Sequence, residues 1–154
     1  MDLHEILSPE AIAVGLNATS KKHLMQELAQ RAESASGLNA RDAFEALLER
    51  ERLGPTGMGR GVAIPHARIE GLTEIVGVFA QLARPVDFDA VDGEPVDLVF
   101  ALFAPIDAGA NHLRALARVS RSLRDANTCS TLRAATDVSA AFAVLTNVLE
   151  AKAA

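Results

Sequence analysis

Leu48-Glu49-Arg50-Glu51-Arg52-Leu53-Gly54-Pro55-Thr56-Gly57-Met58-Gly59-Arg60-Gly61-Val62-Ala63-Ile64-Pro65-His66 carries the chain from one kind of structure into another. It begins as the end of a helical pattern, passes through four glycines in eight positions (54–61), and leaves as extended backbone. A helix does not survive that passage, because glycine loses the most backbone freedom on folding and proline lacks the N–H. Glycine also tolerates positive φ and lets backbone come close to a ligand, so such a loop is able to present N–H groups to an anion. No Gly-Lys-Ser/Thr follows, so this is not a Walker loop. It follows a helix rather than a strand, which argues against a dinucleotide fingerprint. Alone, the loop reads as a turn.

Upstream, Ala11–Leu16 is a short apolar run that suits an opening strand, and Ser20 precedes a helix with Leu24, Met25, Leu28, Ala29 and Ala32 on one face. Gly37 ends that helix, and Asn39 caps a second whose inner face is Phe44, Leu47 and Leu48. Downstream, Val62–Leu82 and Val96–Phe103 are strand-like, and Ile75–Leu82 and Asp97–Ala104 read as buried strands about an Asp92-Gly93 turn. After Pro105 the pattern is helical again, with Leu113, Leu116, Ala117, Ser120 and Leu123 on one face. A short helix near Thr128–Ala134 and a longer one around Ala140–Leu149 follow. Strand, two helices, several strands and several helices predict an α/β layer domain.

The 154 residues suit one domain, with no internal repeat or linker, and the 49% apolar and 23% charged fractions exclude wholesale disorder. Trp and Tyr are absent and the net charge is −5, so neither a stacking platform for single strands nor the basic footprint of a duplex binder is present. The longest apolar run, Leu98–Ile106, is half of the roughly 18 residues that a membrane span needs. No basic segment precedes an apolar one at the N-terminus, and Cys129 is the single cysteine. The expectation is one soluble, cytoplasmic domain over 1–154, with Cys129 as a small apolar filler, no nucleic-acid partner and no membrane insertion.

Four residues near the loop carry chemistry. Pro65 fixes its own φ and extends Ile64, so His66 is delivered from stiffened backbone, and a neutral imidazole is a competent nucleophile near pH 7. His112 sits in the first turn of the helix after Pro105, behind a possible Asn111 cap, where helix N–H groups favour anions. Arg50 lies at a helix flank beside the loop. Glu51 falls near the centre of the apolar face, a costly place for a carboxylate unless the loop's N–H groups donate to it. Taken singly, His66 reads as a surface histidine at a strand end, His112 as a half-buried histidine and Arg50 as a helix-end cation. His4 and His23 carry no such signal.

The string Leu48 to His66 resembles the signature of the fructose/mannitol-type IIA domains of the bacterial phosphotransferase system, and most of all their stand-alone nitrogen-regulatory members. The likeness continues through 76–79, 88–102, His112-Leu113 and 132–135, in effect over the whole chain. Pro55 stands where many relatives have serine, and Ala67-Arg68 replaces the commoner Gly-Lys. The resemblance implies a three-layer α/β/α domain with a mixed sheet. It implies that His66 accepts a phosphoryl group from the phosphohistidine of an HPr-like carrier, with Arg50 and His112 around the site and no metal or cofactor. Glu51, Thr56, Gly57 and Gly59 would bind phosphate or support the loop. Regulatory targets of such proteins include sensor kinases, potassium transport systems and stress regulators.

Two other readings stand beside this one. A sugar-specific IIA component would pass its phosphate to a IIB domain. An ion-binding module is suggested by the crowding of Asp87, Asp89, Asp92 and Glu94, although their spacing does not match an EF-hand.

Overall fold

The computed structural model describes residues 3–153, with side chains described through residue 146. Two short 3-10 turns (Leu3–Glu5, Pro9–Ala11) lead into β1 (Ile12–Leu16), then α1 (Lys21–Ser36) and α2 (Ala40–Arg52). The strands β2 (Gly57–Gly59), β3 (Val62–Ala63), β4 (His66–Ile69), β5 (Val76–Val86) and β6 (Val96–Pro105) come next, followed by α3 (Ala110–Leu123), α4 (Ala126–Ala134) and α5 (Val138–Ala153). The sheet order is β1-β5-β6-β3-β2, and β4 also pairs with β6. β5 and β6 are antiparallel, whereas β1 runs parallel to β5, and β3 and β4 run parallel to β6. The sheet is therefore mixed. Helices α1 and α2 pack on each other and on β5 and β4, while α3, α4 and α5 pack on one another and on β6 and β1.

Local chemistry explains the element ends. Ser20 Oγ accepts from His23 N at the start of α1, Asn39 Oδ1 accepts from Asp42 N at the start of α2, and Gly37 closes α1 at φ 79°. The α1 residues Leu24, Met25, Leu28, Ala29 and Ala32 are all buried. On α2 the buried set is Ala43, Leu47 and Glu51, with Phe44 and Leu48 half-buried against the core. Phe79, Phe88, Phe100 and Phe103 are the largest buried side chains and sit on or beside the central β5–β6 pair.

Two details of α3 differ from the sequence reading. Its N-cap is Gly109, so Asn111 lies inside the first turn. Its buried face is His112, Ala115, Val119, Ser122 and Leu123, whereas Leu113 is 65% exposed. Leucine and alanine on two adjoining stripes made the wheel ambiguous; Leu123 is buried and Leu116 half-buried against the core, but Leu113 faces outwards.

The passage from Gly61 to Ile69 runs alongside β6 as one extended line with a gap. Leu98 N donates to Gly61 O, Val62 and Ala63 pair with Leu98 and Val99, Leu102 N donates to Pro65 O, and His66 pairs with Leu102. Pro65 has no N–H to give, so strand regularity stops at Ile64-Pro65 and resumes at His66. On the far side, Gln81 of β5 ties down the end of α4. Its Nε2 reaches the carbonyls of Leu132 and Ala135 at 2.8 Å, and its Oε1 accepts from Gly15 N at 3.0 Å. Gln81→Leu strands these buried groups and is expected to lower stability by about 1–3 kcal/mol, read from the urea midpoint. An unchanged midpoint would contradict that role for Gln81.

Candidate functional site

His66 opens β4 half-buried, with Nδ1 2.9 Å from Ile64 O. A carbonyl oxygen only accepts, so Nδ1 carries the hydrogen and the lone pair of the neutral ring is on Nε2. The ring faces His112 edge-on, with centroids 5.7 Å apart and planes at 68°. His112 is 5% exposed, and its Nε2 has no hydrogen-bond partner among the described residues. Burial is the main cause lowering both histidines below the ordinary 6.5. For His66 the Ile64 carbonyl raises the value, Arg50 lowers it and Glu51 raises it; for His112 the neighbouring His66 and Arg68 add to the lowering. Both rings are thus neutral near pH 7.

Arg50, His66 and His112 line one cleft of ≈ 490 Å³, together with Glu49, Leu53, Arg68, Leu113 and Leu116. A second recess of ≈ 320 Å³ shares Arg50, His66 and Leu116 and extends to Thr56, Gly57 and Ser120. Arg50 Nη1 donates to Gly54 O at 3.0 Å, so its guanidinium rests on the glycine loop. A hollow of ≈ 520 Å³ elsewhere is lined by Glu5, Glu74 and Asp107 and offers neither a cation nor a histidine. Among the described residues, the cleft at His66 is the recess that brings an arginine and two histidines together.

The glycine loop is held from below. Glu51 is 9% exposed and accepts from Thr56 N at 3.1 Å and from Thr56 Oγ1, while Lys21 Nζ lies 2.6 Å from its Oε2. Thr56 therefore spends its donors on Glu51, not on the cleft. Gly57 packs so closely on Ala90 that a Cβ would lie 2.9 Å from Ala90 Cα, and Gly59, at φ 96°, packs on the Asp92 carboxylate. Gly59 is not among the residues lining either recess. Arg60 takes the left-handed conformation (φ 58°) with its N–H on Asp92 Oδ2 at 2.8 Å. Arg133 grips Asp97 through two donors at 2.9 Å and reaches Arg60 O at 2.9 Å.

The carboxylates of Asp87, Asp89 and Asp92 are engaged within this support. Asp87 Oδ1 accepts from Asp89 N, Asp92 accepts from Arg60 N and Glu94 N, and Asp89 faces Lys21 at 3.5 Å. Among the described residues no group of three or more His, Cys, Asp or Glu is arranged around a metal position. Lys21, the Ile64 carbonyl and Arg133 have no place in the sequence reading. Lys21 and Arg133 find partners far away in the chain, and the Ile64 contact is made by a backbone carbonyl; neither kind leaves a local pattern.

The profile of the family described as the phosphoenolpyruvate-dependent sugar phosphotransferase system, EIIA 2, matches residues 5–148. The chain belongs to the type-2 EIIA family of the phosphotransferase system. This EIIA chain is 51% identical over 145 residues to a nitrogen regulatory protein of Bradyrhizobium diazoefficiens, covering 94% of this chain and 95% of that protein. The crystal structure of the nitrogen regulatory protein IIA-Ntr from Neisseria meningitidis superposes with a TM-score of 0.88 at 38% identity, over 94% of this chain and 99% of that one. The Escherichia coli mannitol IIA structure, at 22% identity and a TM-score of 0.76 over 90% of this chain and 98% of that one, shares the α/β fold.

Because burial holds both rings below 6.5, the folded EIIA chain binds protons at His66 and His112 less readily than the unfolded chain. The stability they contribute is complete above 6.5 and is lost as the pH falls through 6.5 towards the lowered folded values. NMR titration of the ring protons is expected to give midpoints below 6.5 for both. A midpoint above 6.5 for either would contradict the account of burial.

Proposed function

We propose that this protein is a nitrogen-regulatory phosphocarrier whose His66 Nε2 accepts a phosphoryl group from the phosphohistidine of an HPr-like carrier. The observation that carries the reading is the pairing of a free Nε2 on His66 with the unpartnered, buried Nε2 of His112 in a cleft that also holds Arg50. A buried polar atom without a partner is costly, and a phosphate oxygen arriving between the two rings would satisfy it.

In the transfer, the carrier's N–P bond breaks as the bond from phosphorus to His66 Nε2 forms. The carrier's ring leaves with the electron pair. Positive charge develops on the His66 ring and is drawn towards Nδ1–H, where the Ile64 carbonyl stabilises it. Arg50 supplies a permanent cation for the equatorial oxygens, His112 a neutral donor, and the start of α3 a favourable dipole. Alignment and charge are all the step requires.

The regulatory half of the reading rests on the nitrogen regulatory relatives and on the cleft's rim. Leu53 is 83% exposed and Leu113 65% exposed at the mouth. A phosphoryl group brings up to about two negative charges beside these side chains and so changes which protein surfaces dock. Such a carrier works in the cytoplasm, and its targets are partner proteins rather than nucleic acid.

Incubation with a radiolabelled phosphohistidine HPr-type carrier is expected to label the wild type and not His66→Ala. Arg50→Met is expected to slow labelling by about 10²-fold or more, and His112→Ala to slow it as well, both with the fold intact. Full labelling of His66→Ala would refute the assignment.

A further inference from the structure

A line of hydrogen bonds runs from the surface of α1 to the His66 ring. Lys21 Nζ lies 2.6 Å from Glu51 Oε2, and Glu51 accepts from Thr56 N at 3.1 Å. Thr56 O accepts from Ile64 N at 3.1 Å, and Ile64 O accepts from His66 Nδ1 at 2.9 Å. Each link is buried or partly buried, where bonds in series polarise one another. The same ammonium donates to Phe88 O at 3.2 Å, faces Asp89 Oδ2 at 3.5 Å and lies 4.6 Å from the centre of the Phe88 ring. It therefore grips both supports of the glycine loop, Glu51 beneath Thr56 and the 87–94 connection against which Gly57 and Gly59 pack.

We propose that Lys21 is a positioning residue for phosphoryl transfer: it fixes Glu51 and the 87–94 connection under the glycine loop and, through Thr56 and Ile64, orients the His66 ring. This rests on the reading of His66 as the acceptor. Lys21 has a second consequence, which is electrostatic. The Glu51 carboxylate is near enough to His66 to act on its protonation, and Lys21 offsets that carboxylate from the other side. The charged or titratable groups facing His66 are Arg50 and Glu51 on α2 and His112 on α3, with Glu49 and Arg68 on the cleft wall. Those facing Glu51 are Lys21 on α1 and, through Lys21, Asp89.

The test compares the full chain with Lys21→Met, Lys21→Arg and Lys21→Met/Glu51→Gln. Two readouts are used, NMR titration of the His66 ring and transfer from a phosphohistidine HPr-type carrier across a range of carrier concentrations. In Lys21→Met the saturating transfer rate is expected to fall about tenfold with an unchanged half-saturating carrier concentration, because Lys21 is not among the residues that line the cleft. The His66 midpoint is expected to rise, since Glu51 then acts without its counter-ion. Lys21→Arg is expected to retain both wild-type values, and Lys21→Met/Glu51→Gln to return the midpoint to its wild-type position while transfer stays slow. Wild-type transfer together with a wild-type midpoint in Lys21→Met would overturn the proposal. If Lys21→Met does not fold, Lys21→Gln decides: slow transfer supports the proposal and wild-type transfer overturns it. An unlabelled wild type would instead refute the acceptor reading of His66, and the ring titration would still show whether Lys21 acts on that ring.

Discussion

The hydrogen bond from His66 Nδ1 to Ile64 O is the contact on which the cleft depends. It fixes the tautomer, leaves the lone pair of the ring on Nε2 and, on the proposed reading, places an acceptor where positive charge would grow during transfer. It is available because Pro65 interrupts the strand between Ile64 and His66. The Ile64 carbonyl then serves the side chain two residues on, while Ile64 N serves Thr56 O. A proline that would weaken an ordinary strand here directs two backbone groups into the site.

The glycine loop is the second constraint, and its order comes from outside it. Its residues are too unconstrained to hold one shape alone, since glycine surrenders the most freedom on folding. Glu51 holds Thr56, Asp92 holds Arg60 N, and Arg133 holds Arg60 O from α4, whose end is in turn tied to the sheet by Gln81. Helices from both layers thus meet at one loop. Arg50 leans on that loop through Gly54 O and on the cleft through His66, so the permanent cation is set by the same scaffold.

Much of the architecture was legible in the sequence because it is written in local terms. The caps Ser20 and Asn39, the stop at Gly37, the α1 stripe and the glycine segment each follow from neighbours within a few residues. Glu51 also stood out, as a carboxylate on an apolar face. The outward turn of Leu113 was not legible, because α3 carries two apolar stripes and only one can face the sheet. Lys21 lies thirty positions before Glu51 and Arg133 lies |i−j| = 73 from Arg60, and contacts of that range leave no periodic trace. Nor does sequence reveal which backbone carbonyl a histidine finds, so the tautomer of His66 needed coordinates.

The central claim is that Nε2 of His66 is the atom that receives the phosphoryl group. Long-range ¹H–¹⁵N spectra of the protein, recorded before and after incubation with a phosphohistidine HPr-type carrier, test it most directly. The account predicts an Nδ1–H tautomer in the unmodified ring and a phosphorus-coupled Nε2 afterwards. Phosphorus on Nδ1, or on a residue other than His66, would contradict it.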